Sequence, residues 1–249
     1  VSARRRIEEA RLALMMLTRL PVGRLAEPAP SLGQASWAFP LVGLVIGLVG
    51  WAGFAAALSC GLPATLAGFL AVATTAWATG ALHHDGLADF ADGIGGGRDR
   101  AHCLEIMRDS RIGSYGAVAL ILAIGIHVTA LSAGTAGIPL LAFLLLGVAS
   151  RLVMLALLIW LPPARTDGLG RGATSQSAGA MVPGGVLVLL LAVLTGTDGM
   201  AALVAICVAA FVVAALARRR IGGQTGDVLG AAQMICEISG WIVWAAVAT

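Results

Sequence analysis

Long apolar runs, parted by short polar or glycine-bearing breaks, organise this chain from about residue 37 to its end. Segments at 37–59, 62–82, 115–134, 138–161, 183–197, 199–217 and 228–248 stand out, and most approach the ~20 residues that a helix needs to cross a bilayer. The fifth is short. Ahead of them, Ile7 to Leu20 mixes apolar residues with Glu8, Glu9, Arg11 and Arg19, which predicts an amphipathic helix lying on the membrane surface. A signal peptide would keep its apolar core uninterrupted, so this stretch is expected to remain on the mature protein. The pattern predicts an all-α polytopic transmembrane bundle of about seven spans in one integral-membrane domain, 1–249. Within it lie an interfacial N-terminal arm (1–30), an acidic loop (83–114) and a second, glycine-rich loop (218–231).

Composition strengthens the membrane reading: hydrophobic residues make up 59% of the 249 positions, charged residues only 12%, and mean hydropathy is +0.92. A soluble domain is excluded. All 16 basic residues are arginine, and 15 of them fall in the N-terminal arm and the loops at 83–114, 162–182 and 218–227. The connections at 60–61, 135–137 and 198 carry one charge between them, Asp198. By the positive-inside rule the four arginine-bearing regions face the cytoplasm, which for seven spans puts the N-terminus inside and the C-terminus outside. The expected location is therefore the cell inner membrane, multi-pass, with the chemistry on the cytoplasmic face. Cys60, Cys103, Cys207 and Cys236 are scattered without a C-x-x-C pair, so neither a zinc site nor a disulfide framework is indicated.

The candidate chemistry sits in the acidic cassette His83-His84-Asp85-Gly86-Leu87-Ala88-Asp89-Phe90-Ala91-Asp92-Gly93. If helical, it places Asp85, Asp89 and Asp92 at i, i+4 and i+7, within an arc of roughly 60°. Three like charges on one stripe repel, and a hard divalent cation with oxygen ligands is the simplest way to hold them together. Gly93 and Gly95 to Gly97 then end the helix. Further along the loop, Glu105 and Asp109 lie one turn apart, with Arg108 and Arg111 available to anionic oxygens. Carboxylates for metal and guanidiniums for phosphate together suggest phosphoryl transfer, in which a positioned carboxylate takes a proton from the attacking hydroxyl. In the last loop, Arg218 to Arg220 read as membrane-surface anchors. Asp227, at the start of the final apolar segment, can cap free amides, reach the metal site or hydrogen-bond a substrate hydroxyl.

These residues carry a specific resemblance. The stretches Leu17 to Val22, Leu82 to Gly93, Leu104 to Gly116, Ala164-Arg165-Thr166-Asp167-Gly168-Leu169-Gly170 and Ile221 to Ala231, in that order along the chain, are similar to the cobalamin synthase (adenosylcobinamide-GDP ribazoletransferase) family. The resemblance implies a Mg²⁺-dependent transferase joining adenosylcobinamide-GDP to α-ribazole or its 5′-phosphate, giving adenosylcobalamin or its 5′-phosphate and GMP. It implies Asp85, Asp89 and Asp92 as metal ligands, with Asp92 also in the catalytic set, and Asp109 as a fourth ligand or the base. His83 would orient a carboxylate or contact phosphate. Arg108 and Arg111 would clamp the diphosphate, and Arg165, Gly223, Thr225 and Asp227 would contact a nucleotide or the ribazole. The expected partners are these two substrates and membrane lipid, with no nucleic acid; a homo-oligomer is compatible with the pattern. The N-terminal helix beside the arginine-rich loops would form part of a lateral entrance for the corrin.

Two other classes share features of the pattern. Another membrane phosphotransferase, or a prenyltransferase, also uses clustered aspartates and Mg²⁺ on a diphosphate. A transporter would place polar groups near the midplane in two related halves, and here the internal echo is limited to Arg111-Ile112-Gly113 and Arg220-Ile221-Gly222. Inside the apolar segments, Arg151 and Glu237 are each costly in hydrocarbon unless paired, so they are expected to meet. His127 is expected to serve core packing or one interhelical hydrogen bond. Gly43 and Gly47 form a G-x-x-x-G spacing, although with 33 glycines in the chain such a match is nearly expected by chance.

Overall fold

The computed structural model describes residues 2–133, 139–165 and 177–247. Among these residues the fold is all-helical, with no strand beyond one isolated bridge between Pro163 and Gln224. The helices are α1 (Ala3–Leu17), α2 (Leu32–Ala35), α3 (Phe39–Ser59), α4 (Ala64–Thr79), α5 (Leu82–Gly96), α6 (Arg100–Ile106), α7 (Ser114–Ser132), α8 (Leu140–Trp160), α9 (Val182–Ile221) and α10 (Gly226–Val247). Five helical stretches are long and apolar enough to cross a membrane, and a sixth crossing results if the bent pair α4 and α5 is one span. The part of residues 166–176 in the resembling stretch, and Arg171 with it, lies outside the described residues.

The amphipathic arm folds as its pattern predicts. Ser2 caps α1 by accepting from the Arg5 amide, and the helix buries Glu9, Ala13 and Leu17 while Arg4 and Arg6 stay exposed. Buried Glu9 is satisfied twice, by Arg6 at 2.9 Å and by the Trp37 indole N–H at 2.8 Å. The arm docks on the bundle through α3 and through the Arg19 amide, which donates to the Ala78 carbonyl at 2.7 Å.

The bundle is centred on the crossing of α3 with α8. Gly43 lies against the backbone of Gly147 and Gly47 against that of Phe143, so closely that no Cβ fits at Gly43, Gly47 or Gly147. Here the G-x-x-x-G spacing is a true close-packing seam, because two backbones in contact gain dispersion energy that lipid cannot replace. Nearby, Phe143 meets Trp241 edge-on at 4.7 Å between ring centres, and His127 stacks on Trp241 at 6.1 Å, a packing role as expected.

Two breaks differ from a simple row of spans. The fifth and sixth apolar segments form two helices, together α9, that meet at a kink at Gly196, whose φ of 67° and ψ of −144° are open only to glycine. At 1.5 Å per residue the arms on either side measure about 21 Å and about 38 Å. The second break lies between α4 and α5, where Gly80 and Ala81 both adopt left-handed φ and the chain turns by 92°. Helix α5 therefore lies across the ends of its neighbours: Gly86 packs against Asp227 and Gly230 at the start of α10, and Asp92 reaches Gly113 and Gly116 at the start of α7.

Candidate active site

That 92° bend carries the acidic cassette from the end of α4 to one end of the bundle. The arginine-bearing regions gather at the same end. Arg100 donates to the Ala164 carbonyl at 3.1 Å, Arg165 to Leu104 at 3.2 Å, and Arg220 to Gly97. These bonds lace α6, the segment after α8 and the end of α9 together, so Arg220 serves as a tether between loops in addition to any contact with lipid. The chain pairing at 162–164 completes the tie: the Gln224 amide donates to Pro162 at 2.8 Å and the Ala164 amide to Gln224 at 2.9 Å. Gly223 sits under the Pro162 carbonyl with no room for a Cβ, which gives this glycine a structural reason of its own.

The cassette is helical, so Asp85, Asp89 and Asp92 do share one face. Their surroundings differ. Asp85 is exposed, Asp89 half-buried and Asp92 buried. Asp92 accepts from the amides of Gly113 at 2.7 Å and Gly116 at 2.9 Å, capping α7 across the loop. A residue with a Cβ at Gly113 or Gly116 would collide with that carboxylate. Asp227 occupies the first turn of α10, where Thr225 takes the capping role: its hydroxyl accepts from the Val228 amide at 3.3 Å and donates to Asp227 at 3.2 Å. Arg165 stands 3.6 Å from the same carboxylate. Among the described residues, Asp89 has neither an amide pair nor an ion-paired cation. Burial first, then repulsion from Asp85, Asp227 and Asp92, pushes its carboxyl up to about 7 against the opposing pull of Arg165.

Asp109 and Arg111 lie apart from this cluster, on an open cleft of about 530 Å³ between α5 and the start of α7 that Asp92 and Tyr115 also line. They bind each other through two side-chain contacts of 3.0 and 2.6 Å, and the guanidinium and amide of Arg111 hold the Asp109 carboxyl down to about 2. Arg108 is exposed on the same side. His83 is buried, and neither of its ring nitrogens has a hydrogen-bond partner; the same is true of His84. Burial favours the neutral form of both rings.

At the other end of α5 from Asp109 is a feature the sequence did not announce, an apolar cleft of about 190 Å³ bounded by α1, α2, α3, α5, α8 and α10. Met16 and Leu17 contribute from the amphipathic arm, and His83, Asp85 and Asp227 from the acidic region. The amphipathic pattern of α1 was the one available signal, because the remaining walls come from helices distant in sequence.

As to a metal, no three His, Cys, Asp or Glu side chains among the described residues converge closely enough to hold an ion as they stand, since Asp92 is turned to the α7 amides. The donor chemistry nevertheless fits a hard cation. Asp85 and Asp89 are one turn apart, with Cβ atoms about 5–6 Å apart by helix geometry, and all the donors in this cluster are carboxylate oxygens. Burial first, and then the charges of Asp85, Asp227 and Asp92 against the pull of Arg165, disfavour a charged Asp89, which a hard cation would offset.

The family model described as cobalamin-5-phosphate synthase matches residues 9–245, nearly the whole chain and every element of this site. The chain belongs to the cobalamin-5-phosphate synthase family. Among its relatives, the adenosylcobinamide-GDP ribazoletransferase of Bradyrhizobium diazoefficiens is 44% identical over 93% of this chain and 91% of its own. That of Mesorhizobium japonicum is 43% identical over 96% and 93%, and that of Xanthobacter autotrophicus 47% over 91% and 91%. No solved structure matches. As a member of the cobalamin-5-phosphate synthase family the protein is an enzyme, a transferase of cobalamin assembly with membrane helices, and this decides among the classes that the aspartate spacing had left open.

Proposed function

We propose that the protein joins adenosylcobinamide-GDP to α-ribazole or α-ribazole 5′-phosphate at the cytoplasmic face of the inner membrane, with Mg²⁺ as cofactor. One observation carries this reading: α5 is laid across the starts of α7 and α10, gathering the field of Asp85, Asp89, Asp92 and Asp227, with Arg165 the cation beside it among the described residues. The distribution of arginines supports the sidedness.

A ribose hydroxyl of the acceptor attacks the phosphorus that carries the corrin side chain. The new P–O bond forms as the P–O bond of the pyrophosphate bridge breaks, and GMP leaves with that bond's electron pair. The hydroxyl proton passes to a carboxylate of the cluster. Asp85 and Asp89 would hold the cation, which when bound neutralises bridging phosphate oxygens. Asp92 secures the end of α5 to α7, and Arg165 orients Asp227. Arg111 borders the open cleft where anionic oxygens can be met and exchanges Asp109 for phosphate to do so, with Arg108 exposed nearby in sequence. Asp109, held as a carboxylate by Arg111, suits a ligand or a counter-charge better than a proton acceptor.

The test is turnover by purified protein in lipid nanodiscs. With Mg²⁺ and both substrates, cobamide and GMP should appear in equal amounts, and EDTA or Asp89→Asn should abolish both. Absence of both products from correctly folded wild-type protein would refute the assignment.

A further inference from the structure

The apolar cleft beside Asp85 has a closed end and an open end. Leu17, Phe39, Met154 and Leu158 are all 7% exposed or less, whereas Asp85 is exposed and Asp227 half-buried, so the carboxylates mark the side that opens towards the reacting groups. His83 lines the same cleft, is 3% exposed, and has two ring nitrogens without partners. A buried polar group in that condition costs free energy until something satisfies it.

Resting on the function proposed above, we infer that this cleft is the acceptor subsite: it takes the flat aromatic base of the ribazole, with a His83 N–H donating to the free ring nitrogen of that base. An apolar cavity of roughly 150 Å³ accommodates a benzene ring, so a cleft of about 190 Å³ open at one end suits a small fused aromatic and is far too small for a corrin. A guanine fits the chemistry poorly, because its several donors and acceptors would meet aliphatic walls. A benzimidazole riboside has no ring N–H and one acceptor nitrogen, which matches a single imidazole donor among hydrocarbon. A phospholipid headgroup would set its phosphate against Asp85 and Asp227. With the base seated inwards, the ribose hydroxyls emerge between those two carboxylates, where the transfer takes place.

The inference is tested on the full-length protein in nanodiscs with the α-ribosides of benzimidazole and of indole, which differ in the acceptor nitrogen. Wild type should prefer the benzimidazole riboside by roughly five- to tenfold in Kd by equilibrium dialysis and in KM by turnover. His83→Phe should erase that preference, and Met154→Phe, which fills the closed end, should raise the acceptor's KM about tenfold or more. The KM for adenosylcobinamide-GDP should stay within about twofold in both variants, which also shows that they are folded. The subsite is wrong if wild type binds the two ribosides equally, if His83→Phe keeps the preference, or if Met154→Phe moves the donor's KM instead. Loss of a co-purified lipid in Met154→Phe with no change in acceptor KM would identify a lipid site and overturn it too. Riboside binding in the dialysis arm needs no turnover, so binding with the expected preference but without product would sink the transferase assignment and spare the subsite.

Discussion

Neutralising Glu237 should destabilise the protein more than removing both members of its ion pair. Arg151, on α8, has a side chain 2% exposed, and its guanidinium lies 3.5 Å from Glu237 of α10, whose side chain is 16% exposed. Around them Ser150 contacts the Glu237 carboxylate at 3.2 Å, Gln233 donates to the same carboxylate, and Arg151 donates to the Gly147 carbonyl at 3.0 Å. At an effective dielectric constant near 20 the pair attraction at this distance is about 5 kcal/mol. Removing one partner of a buried pair typically costs about 3–5 kcal/mol, since the other charge is left without an answer, whereas polar couplings measured within membrane bundles run lower, to about 1.7 kcal/mol. The network around the pair places it between these limits. Glu237→Gln should therefore cost about 3 kcal/mol, Arg151→Met a similar amount, and the double variant about 2 kcal/mol, less than either, for a coupling of about 4 kcal/mol. Equilibrium unfolding in mixed detergent micelles over the four proteins of the cycle measures this directly. Additive losses, with the double variant the least stable, would refute the pairing.

Three further outcomes follow from the packing and the acidic helix. Gly43→Leu, driven into the Gly147 backbone, should lower stability by about 3 kcal/mol in a detergent thermal melt, while Gly125→Ala, which faces open space, should be neutral or slightly stabilising. Asp92→Ala should lose about 1–2 kcal/mol by uncapping α7, whereas Asp85→Asn should abolish turnover without lowering the thermal midpoint, because it relieves repulsion on Asp89. Equal destabilisation by both would contradict the division of labour. The Asp109 carboxyl lies below its ordinary value, so its pairing with Arg111 should be complete above about pH 4 and lost only as pH falls through about 2, as followed by carboxyl NMR of selectively labelled protein; a midpoint near the ordinary carboxylate value would show that the pair does not form.

Much of the fold was legible because hydrocarbon imposes strict terms. Runs such as Leu140–Trp160 have no alternative to a buried or spanning helix, and an arginine and a glutamate in mid-helix must find each other. The amphipathic α1 and the helical cassette were equally readable from their spacing. What escaped depends on partners far along the chain. Nothing local marks Ala81 for a left-handed φ, yet that residue and Gly80 swing α5 through 92°. The Gly43 seam was hidden by the abundance of glycine, and only its partner Gly147 gives it meaning. Gly196 separates two apolar helices as the pattern suggested, through a kink at the glycine itself. The apolar cleft draws on six helices, so no window of sequence contains it.

The same bend explains how four carboxylates coexist at the end of an apolar bundle. A helix start carries about half a positive charge and unpaired amides. Asp92 is placed on the start of α7 and takes two of those amides, and Asp227 lies in the first turn of α10 with Thr225 and Arg165 beside it. Asp85, at the opposite end of the stripe, is in contact with solvent. Asp89 lies between them on α5, half-buried, and burial followed by the repulsion of its neighbours pushes it up to about 7. Backbone dipoles thus offset the outer members of the cluster and leave the deficit of positive charge at its centre. A divalent cation beside Asp85 and Asp89 would remove that deficit, so the proposed metal is expected on the first two turns of α5 and not on all three carboxylates of the stripe.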